Sequence, residues 1–122
     1  SDAIGVPAVL PVLDRIGRKI PRGREGHIAI VGIDGSPEAL KALRDGYVDQ
    51  VSSQPILDFG IIVDWMERDF DRQPGNVGMV VREGSLWSPA TVKRDDVGLE
   101  LFLSTTSVTP ANVDDPRLWG NQ

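Results

Sequence analysis

The sequence predicts an α/β chain built on parallel strands, and three observations within residues 27–55 carry that prediction. Residues 28–33 form a short, β-branched run without polar alternation, the pattern of a strand covered on both faces in a parallel sheet. A Gly/Asp turn then opens a capped amphipathic segment. A second short run, residues 48–53, closes on Gln54 and Pro55. Strand, helix and strand in so few residues make a βαβ unit.

The chain opens with Ile4, Ala8, Val9, Val12, Leu13 and Ile16 near helical spacing, so a helix is expected over residues 2–17. Asp2 suits its start and Gly17 its left-handed stop. Pro7 fits a first turn, whereas Pro11 removes a backbone donor and predicts a kink or a delayed start. Residues 18–26 hold four basic side chains, Pro21 and two glycines, and read as a solvated connection. His27 is the only histidine and has no sequence companions for a metal site or a Ser-His pair.

In the central unit Ser36 is a natural N-cap, Pro37 fits the first helical position and Glu38 complements the helix dipole. Ala39, Leu40, Ala42 and Leu43 supply an apolar face, and Gly46 ends the helix. Residues 55–71 read as the longest helix. Its apolar residues Ile56, Leu57, Phe59, Ile61, Ile62, Val63, Trp65, Met66 and Phe70 wrap more than half the circumference. Asp64 and Arg68 stand at i,i+4 on its polar side, and residues 73–76 end it. Beyond Val77 the regular alternation stops. Residues 77–82 and 98–104 are strand-like, separated by turn-rich sequence with Gly84, Ser85, Ser88 and Pro89, and an irregular tail follows. The resulting division is residues 1–76 as α/β units and 77–122 as short strands and tail.

Composition narrows the function classes. The 122 residues, 40% hydrophobic and 25% charged, suit one globular domain. A net charge of -5 and a pI near 4.7 give no basic footprint for nucleic acid, and no apolar stretch is long enough for membrane insertion. Without cysteine there are neither disulfides nor thiolate metal sites. No P-loop, H-E-x-x-H or G-x-S-x-G motif occurs, so no cofactor is expected and nothing points to an enzyme.

Asp34 and Gln54 leave the carboxyl ends of the two predicted strands, where small ligands bind in open parallel sheets. Two readings stand side by side: a ligand crevice, or a helix cap at Asp34 and a turn at Gln54. An acidic side chain at the helix entrance repels phosphate, so the Gly32 to Gly35 turn is not a dinucleotide fingerprint. A carboxylate and an amide suit a neutral, hydroxyl-rich ligand instead.

The segment VGIDGSPEALKALRDGYVDQVSSQP resembles the C-terminal lobe of the type I, ribose-binding-like sugar-binding proteins of ABC transporters. In that family a strand ending V-G-F/I-D-G precedes a T/S-P-E-A helix, a D-G turn and a strand ending A/S-Q-x-P or S-Q-P. The resemblance implies that Asp34 and Gln54, 20 residues apart, bind sugar hydroxyls. It aligns residues 1–8, SDAIGVPA, with the family's N-D-x-x-A-x-G-A segment, which makes Ser1 the third ligand-binding position, with Ser in place of Asn. The tail VTPANVDDPRLWGNQ resembles the family's endings, which cross the hinge between lobes.

The fold so implied is part of a doubly wound parallel-sheet lobe, three-layer α/β/α, of which this chain would be a truncated piece. The function implied is non-catalytic binding of a monosaccharide or related sugar, periplasmic or extracellular, with an ABC transporter permease as partner and an open sheet edge available for self-association. Anchoring as a lipoprotein also fits the family. The alternative is the effector-binding domain of a lactose-repressor-like regulator or a sugar sensor domain. Regulators of that type usually carry D-D where Asp34 and Gly35 stand. Trp87 and Trp119 are expected to pack rather than to stack on a ligand.

Overall fold

The computed structural model describes residues 1–70, 77–82 and 86–122, excepting the side chains of residues 62, 65, 66 and 68–70. In chain order the elements are α1 (Asp2–Arg15), β1 (Val31–Asp34), α2 (Pro37–Arg44), β2 (Gln50–Ser53), α3 (Phe59–Phe70), β3 (Val80–Val81), β4 (Ala90–Arg94), β5 (Leu99–Leu101) and β6 (Thr106–Val108). Single 3-10 turns lie at Ile56–Asp58 and Trp119–Asn121. The chain divides into two compact units, residues 1–54 with 106–122, and residues 55–105.

In the first unit β1 and β2 pair in parallel through α2, as the central stretch predicts, with Asp34 opposite Ser53. β6 adds antiparallel to the other side of β2, setting Val108 opposite Val51 and giving the order β1-β2-β6. The middle strand is therefore the buried one: Val51 and Val108 are fully covered, together with Leu40 and Leu43 of α2, Val48 and Leu118. Local signals set the helix ends. Ser36 Oγ accepts the Ala39 N–H and Pro37 opens α2. At Gly46 the Tyr47 N–H reaches the Ala42 carbonyl and the Gly46 N–H the Leu43 carbonyl, a Schellman ending. Gly17 ends α1 in the same way, with Arg18 N–H on Leu13 O and Gly17 N–H on Asp14 O.

Three expectations for this unit are corrected. β1 starts at Val31 and is not covered on both faces, since Val31 and Ile33, which share one face, are 71% and 48% exposed, and its place at the end of the order also leaves one edge open. The helix expected over residues 2–17 is α1, Asp2–Arg15, and its apolar spacing does not mark a buried face. Only Asp2 and Val6 are buried, while Ile4, Val9, Val12 and Ile16 face outward. Pro11 does not delay α1, which starts at Asp2 and runs through both prolines for 14 residues. Pro7 and Pro11 are four apart and exposed, so the carbonyls they leave unpaired, on Ala3 and Pro7, face water.

The basic connection is also more than a solvated loop. Arg22 donates from Nη1 to Val48 O at 3.2 Å and from Nη2 to Leu43 O at 3.1 Å. His27, only 15% exposed, has acceptors at both ring nitrogens: Ile20 O lies 2.7 Å from Nδ1, and both Asp49 oxygens lie 3.0 Å from Nε2. Two acceptors suit the doubly protonated ring. The Ile20 carbonyl and then the Asp49 carboxylate raise the His27 pKa above 6.5, against partial burial and the Arg22 charge. Burial pushes Asp49 up, but the Ile30 N–H and the His27 ring together hold it below its ordinary 3.8.

A raised histidine pKa stabilises the fold fully below the unfolded value of 6.5 and loses that contribution as pH rises through the folded value. The depressed Asp49 contributes above 3.8 and is lost only as pH falls through its lower folded value. Stability of this unit is therefore expected to decline on raising pH from about 6 to 9, and His27→Gln to flatten the decline. Denaturant midpoints measured across that range check it. An equal decline in the variant assigns the pH response to other groups.

In the second unit β3, β4 and β5 form an antiparallel sheet. Val81, Trp87, Ala90 and Val92 make its core, with Ile61, Leu99, Leu101 and Leu103 packed around them. The Trp87 indole N–H donates to Asp58 Oδ2 at 2.7 Å, which gives the buried ring a polar partner. The strand β4 lies in sequence expected to be turn-rich. Its alternation was the available signal, with Ala90 and Val92 inward and Thr91 and Lys93 outward. The helix expected over 55–71 begins at Phe59 after a 3-10 turn, and among the described residues it spans 12, against 14 for α1. The stop at residues 73–76, the turn positions Gly84 and Ser85, and the Arg68 side chain of the i,i+4 pair lie outside the described residues. The fold is mixed α/β with two small three-stranded sheets, one holding a parallel pair, which is coarser than the three-layer lobe the resemblance implies.

Candidate functional site

The carboxyl ends of β1 and β2 bring the three sequence-selected residues together. Asp34 is the last residue of β1, and Gln54 follows β2 directly. The Gln54 N–H donates to Asp34 O at 2.9 Å, continuing the parallel ladder by one bond. Ser1, just before α1, places its nitrogen 3.9 Å from Asp34 Oδ2. The parallel register therefore converts a separation of 20 residues into adjacency.

Asp34 has a φ of 105°, the only non-glycine residue with a positive φ among those described, and Gly35 follows at 84°. A side chain in this region carries roughly 1–3 kcal/mol of backbone strain, and such residues concentrate at functional sites. Surrounding bonds hold the turn. The Asp2 carboxylate, 4% exposed, accepts Gly35 N–H at 2.9 Å on Oδ2 and Ser36 N–H at 3.2 Å on Oδ1. From the tail, the Trp119 indole N–H donates to Asp34 O at 2.6 Å.

These partners bear on the helix-cap role of Asp34. The helix cap is Ser36, and the acceptor for the preceding turn amides is Asp2, so Asp34 is needed for neither. Its carboxylate is 26% exposed, and the Ser1 nitrogen is the atom brought near it, at 3.9 Å. The Gln54 amide, half-buried, has no side-chain hydrogen bond among them. An acceptor-only carboxylate and a donor-acceptor amide thus extend from backbones joined by one hydrogen bond, and neither side chain has a hydrogen-bond partner among the described residues.

No protein-family model matches the chain. No curated protein matches it significantly either.

A groove of about 240 Å³ lies between α1 and β1, walled by Val6, Val9 and residues 30–33 and reaching Ser1. Asp34 and Gln54 are not among its lining residues. Among the described residues no group of three or more His, Asp or Glu side chains is arranged to hold a metal ion, and no helix is long and apolar enough to cross a membrane.

Asp2 and Trp119 also shape the site. Asp2 was expected as the cap of its own helix but serves a turn 33 residues away, and the only available signal was that two turn amides needed an acceptor. Trp119 was expected to pack. It is half-buried, yet its N–H is spent on Asp34, 85 residues earlier, a pairing without a local signature.

Proposed function

We propose that this chain forms part of a sugar-binding lobe, the substrate-binding component of an ABC transporter, acting periplasmically or extracellularly and without catalysis. The supporting observation is that Asp34 and Gln54, joined through their backbones at the carboxyl end of a parallel pair, have no side-chain hydrogen bond among the described residues, with the Ser1 nitrogen 3.9 Å from Asp34 Oδ2. A carboxylate accepts two sugar hydroxyls in charge-assisted bonds, and the amide donates to or accepts from a third. The finer fold we propose is a doubly wound, three-layer lobe that closes with a second lobe over the sugar. Closure requires a ligand that contacts both lobes, and the permease reads the closed state.

The test is calorimetric titration with ribose, xylose, galactose and glucose, run on the protein with the flanking sequence it carries in the cell. One sugar is expected to bind, and Asp34→Ala to weaken it by about 2 kcal/mol or more, roughly 30-fold, with Gln54→Ala losing somewhat less. Undiminished affinity in both variants moves the site away from this strand edge. No binding of any sugar in the panel removes the reading.

A further inference from the structure

Asp34 is the most strained residue of the candidate site, and its backbone carbonyl is the point where three parts of the chain meet. It accepts the Gln54 N–H from the end of β2 and the Trp119 indole N–H from the tail, at 2.9 and 2.6 Å. A carbonyl that accepts two donors is fixed in direction, and with it the peptide plane between Asp34 and Gly35. With the strand holding the preceding peptide, rotation about φ of Asp34 would move that carbonyl, so fixing the carbonyl constrains the φ at which the Asp34 side chain leaves the backbone.

The tail that delivers Trp119 is itself fastened to α2. Arg44 donates to Asp114 Oδ1, Val113 O and Asn121 Oδ1, at 2.7, 3.1 and 2.6 Å. Asn121 Nδ2 returns to Val113 O and Asp115 O, which closes the final turn on itself. Gly120 lies so close that a Cβ there would collide with the Gly35 carbonyl oxygen and come within 2.9 Å of Leu40 Cδ1. Two neighbouring tail residues thus press on consecutive residues of the site turn, one through a hydrogen bond and the other through the absence of a side chain.

We infer that Trp119 is a positioning residue: its indole N–H locks Asp34 in the positive-φ conformation that directs the carboxylate toward ligand. The ligand half of this inference rests on the sugar-binding reading, but the lock on Asp34 does not. Phenylalanine at 119 keeps an aromatic ring and removes the donor. Alanine at 120 keeps the indole and pushes the tail away from Gly35. Both changes release the same carbonyl by different routes.

The experiment is nuclear magnetic resonance of the 15N-labelled protein, comparing wild type with Trp119→Phe and Gly120→Ala. The readouts are the HN–Hα coupling of Asp34, the Gln54 amide shift, exchange protection of the Val51 and Val108 amides, and affinity for whichever panel sugar binds. The expected result is a coupling that moves toward the large value of an extended strand and a displaced Gln54 amide in both variants. Core protection is retained in Trp119→Phe, and sugar affinity falls roughly tenfold, about the effect of one lost hydrogen bond. An unchanged Asp34 coupling in Trp119→Phe overturns the lock and leaves Trp119 as packing. A changed coupling with undiminished affinity overturns the positioning role. If wild type binds no sugar, the sugar reading fails, and the coupling alone upholds or overturns the lock.

Discussion

Gly35→Ala is expected to cost the first unit about 3 kcal/mol or more, because two penalties fall on one Cβ. Gly35 has a φ of 84°, where an L side chain crowds its own backbone by roughly 1–2 kcal/mol. The added carbon would also stand 2.5 Å from Ser53 Oγ, 2.8 Å from its Cβ and 3.0 Å from its Cα. Rotation of the serine relieves the first contact only. The other two involve the last residue of β2, which is paired with Asp34, so relief requires parting the two strands that make the site. A matched substitution isolates the cause. Gly5 lies within α1 with nothing within 4 Å of an added Cβ, so Gly5→Ala is expected to stabilise by about 0.5–1 kcal/mol. Because the chain has two compact units, hydrogen exchange at the β2 amides is a better measure than one melting temperature. A Gly35→Ala loss below about 1 kcal/mol would mean that this turn relaxes freely and does not constrain Asp34.

Legibility followed sequence separation. Ser36 with Pro37, and the stops at Gly17 and Gly46, were readable because a cap and its partner lie within a few residues. The parallel pairing of β1 with β2 was readable because a short helix between two apolar runs leaves few other arrangements. That pairing placed Asp34 beside Gln54. Burial of β1 was not readable: Val31 and Ile33 are as β-branched as a central strand requires, and composition does not reveal which strand is at the edge. The contacts that shape the turn were also hidden. Asp2 to Gly35, His27 to Asp49 and Trp119 to Asp34 join residues 33, 22 and 85 positions apart, and no periodicity records such pairs. The return of β6 to β2 belongs with them, since Thr106–Val108 carries only three residues of strand pattern.

Leu40→Ala is expected to destabilise the same unit by roughly 2–5 kcal/mol, the range for a leucine truncated in a packed core. Leu40 is fully covered, and it belongs to the helix whose other buried residues, Ala39, Ala42 and Leu43, face the same core. Its Cδ1 also defines how near Gly120 can lie, so the cavity opens directly under the tail. The loss should therefore appear in two places: weaker protection of the Val51 amide, and loosening of the Trp119 contact with Asp34. Ile4→Ala provides the contrast. A reading of helical spacing puts Ile4 and Leu40 alike on apolar faces, but Ile4 is 75% exposed, so its truncation should change stability by no more than about 0.5 kcal/mol. Equal losses in the two variants would show that α1 is covered by something under the conditions of measurement. A large loss confined to Leu40→Ala places the working core between α2, β2 and the returning tail, the same three segments that converge on the carbonyl of Asp34.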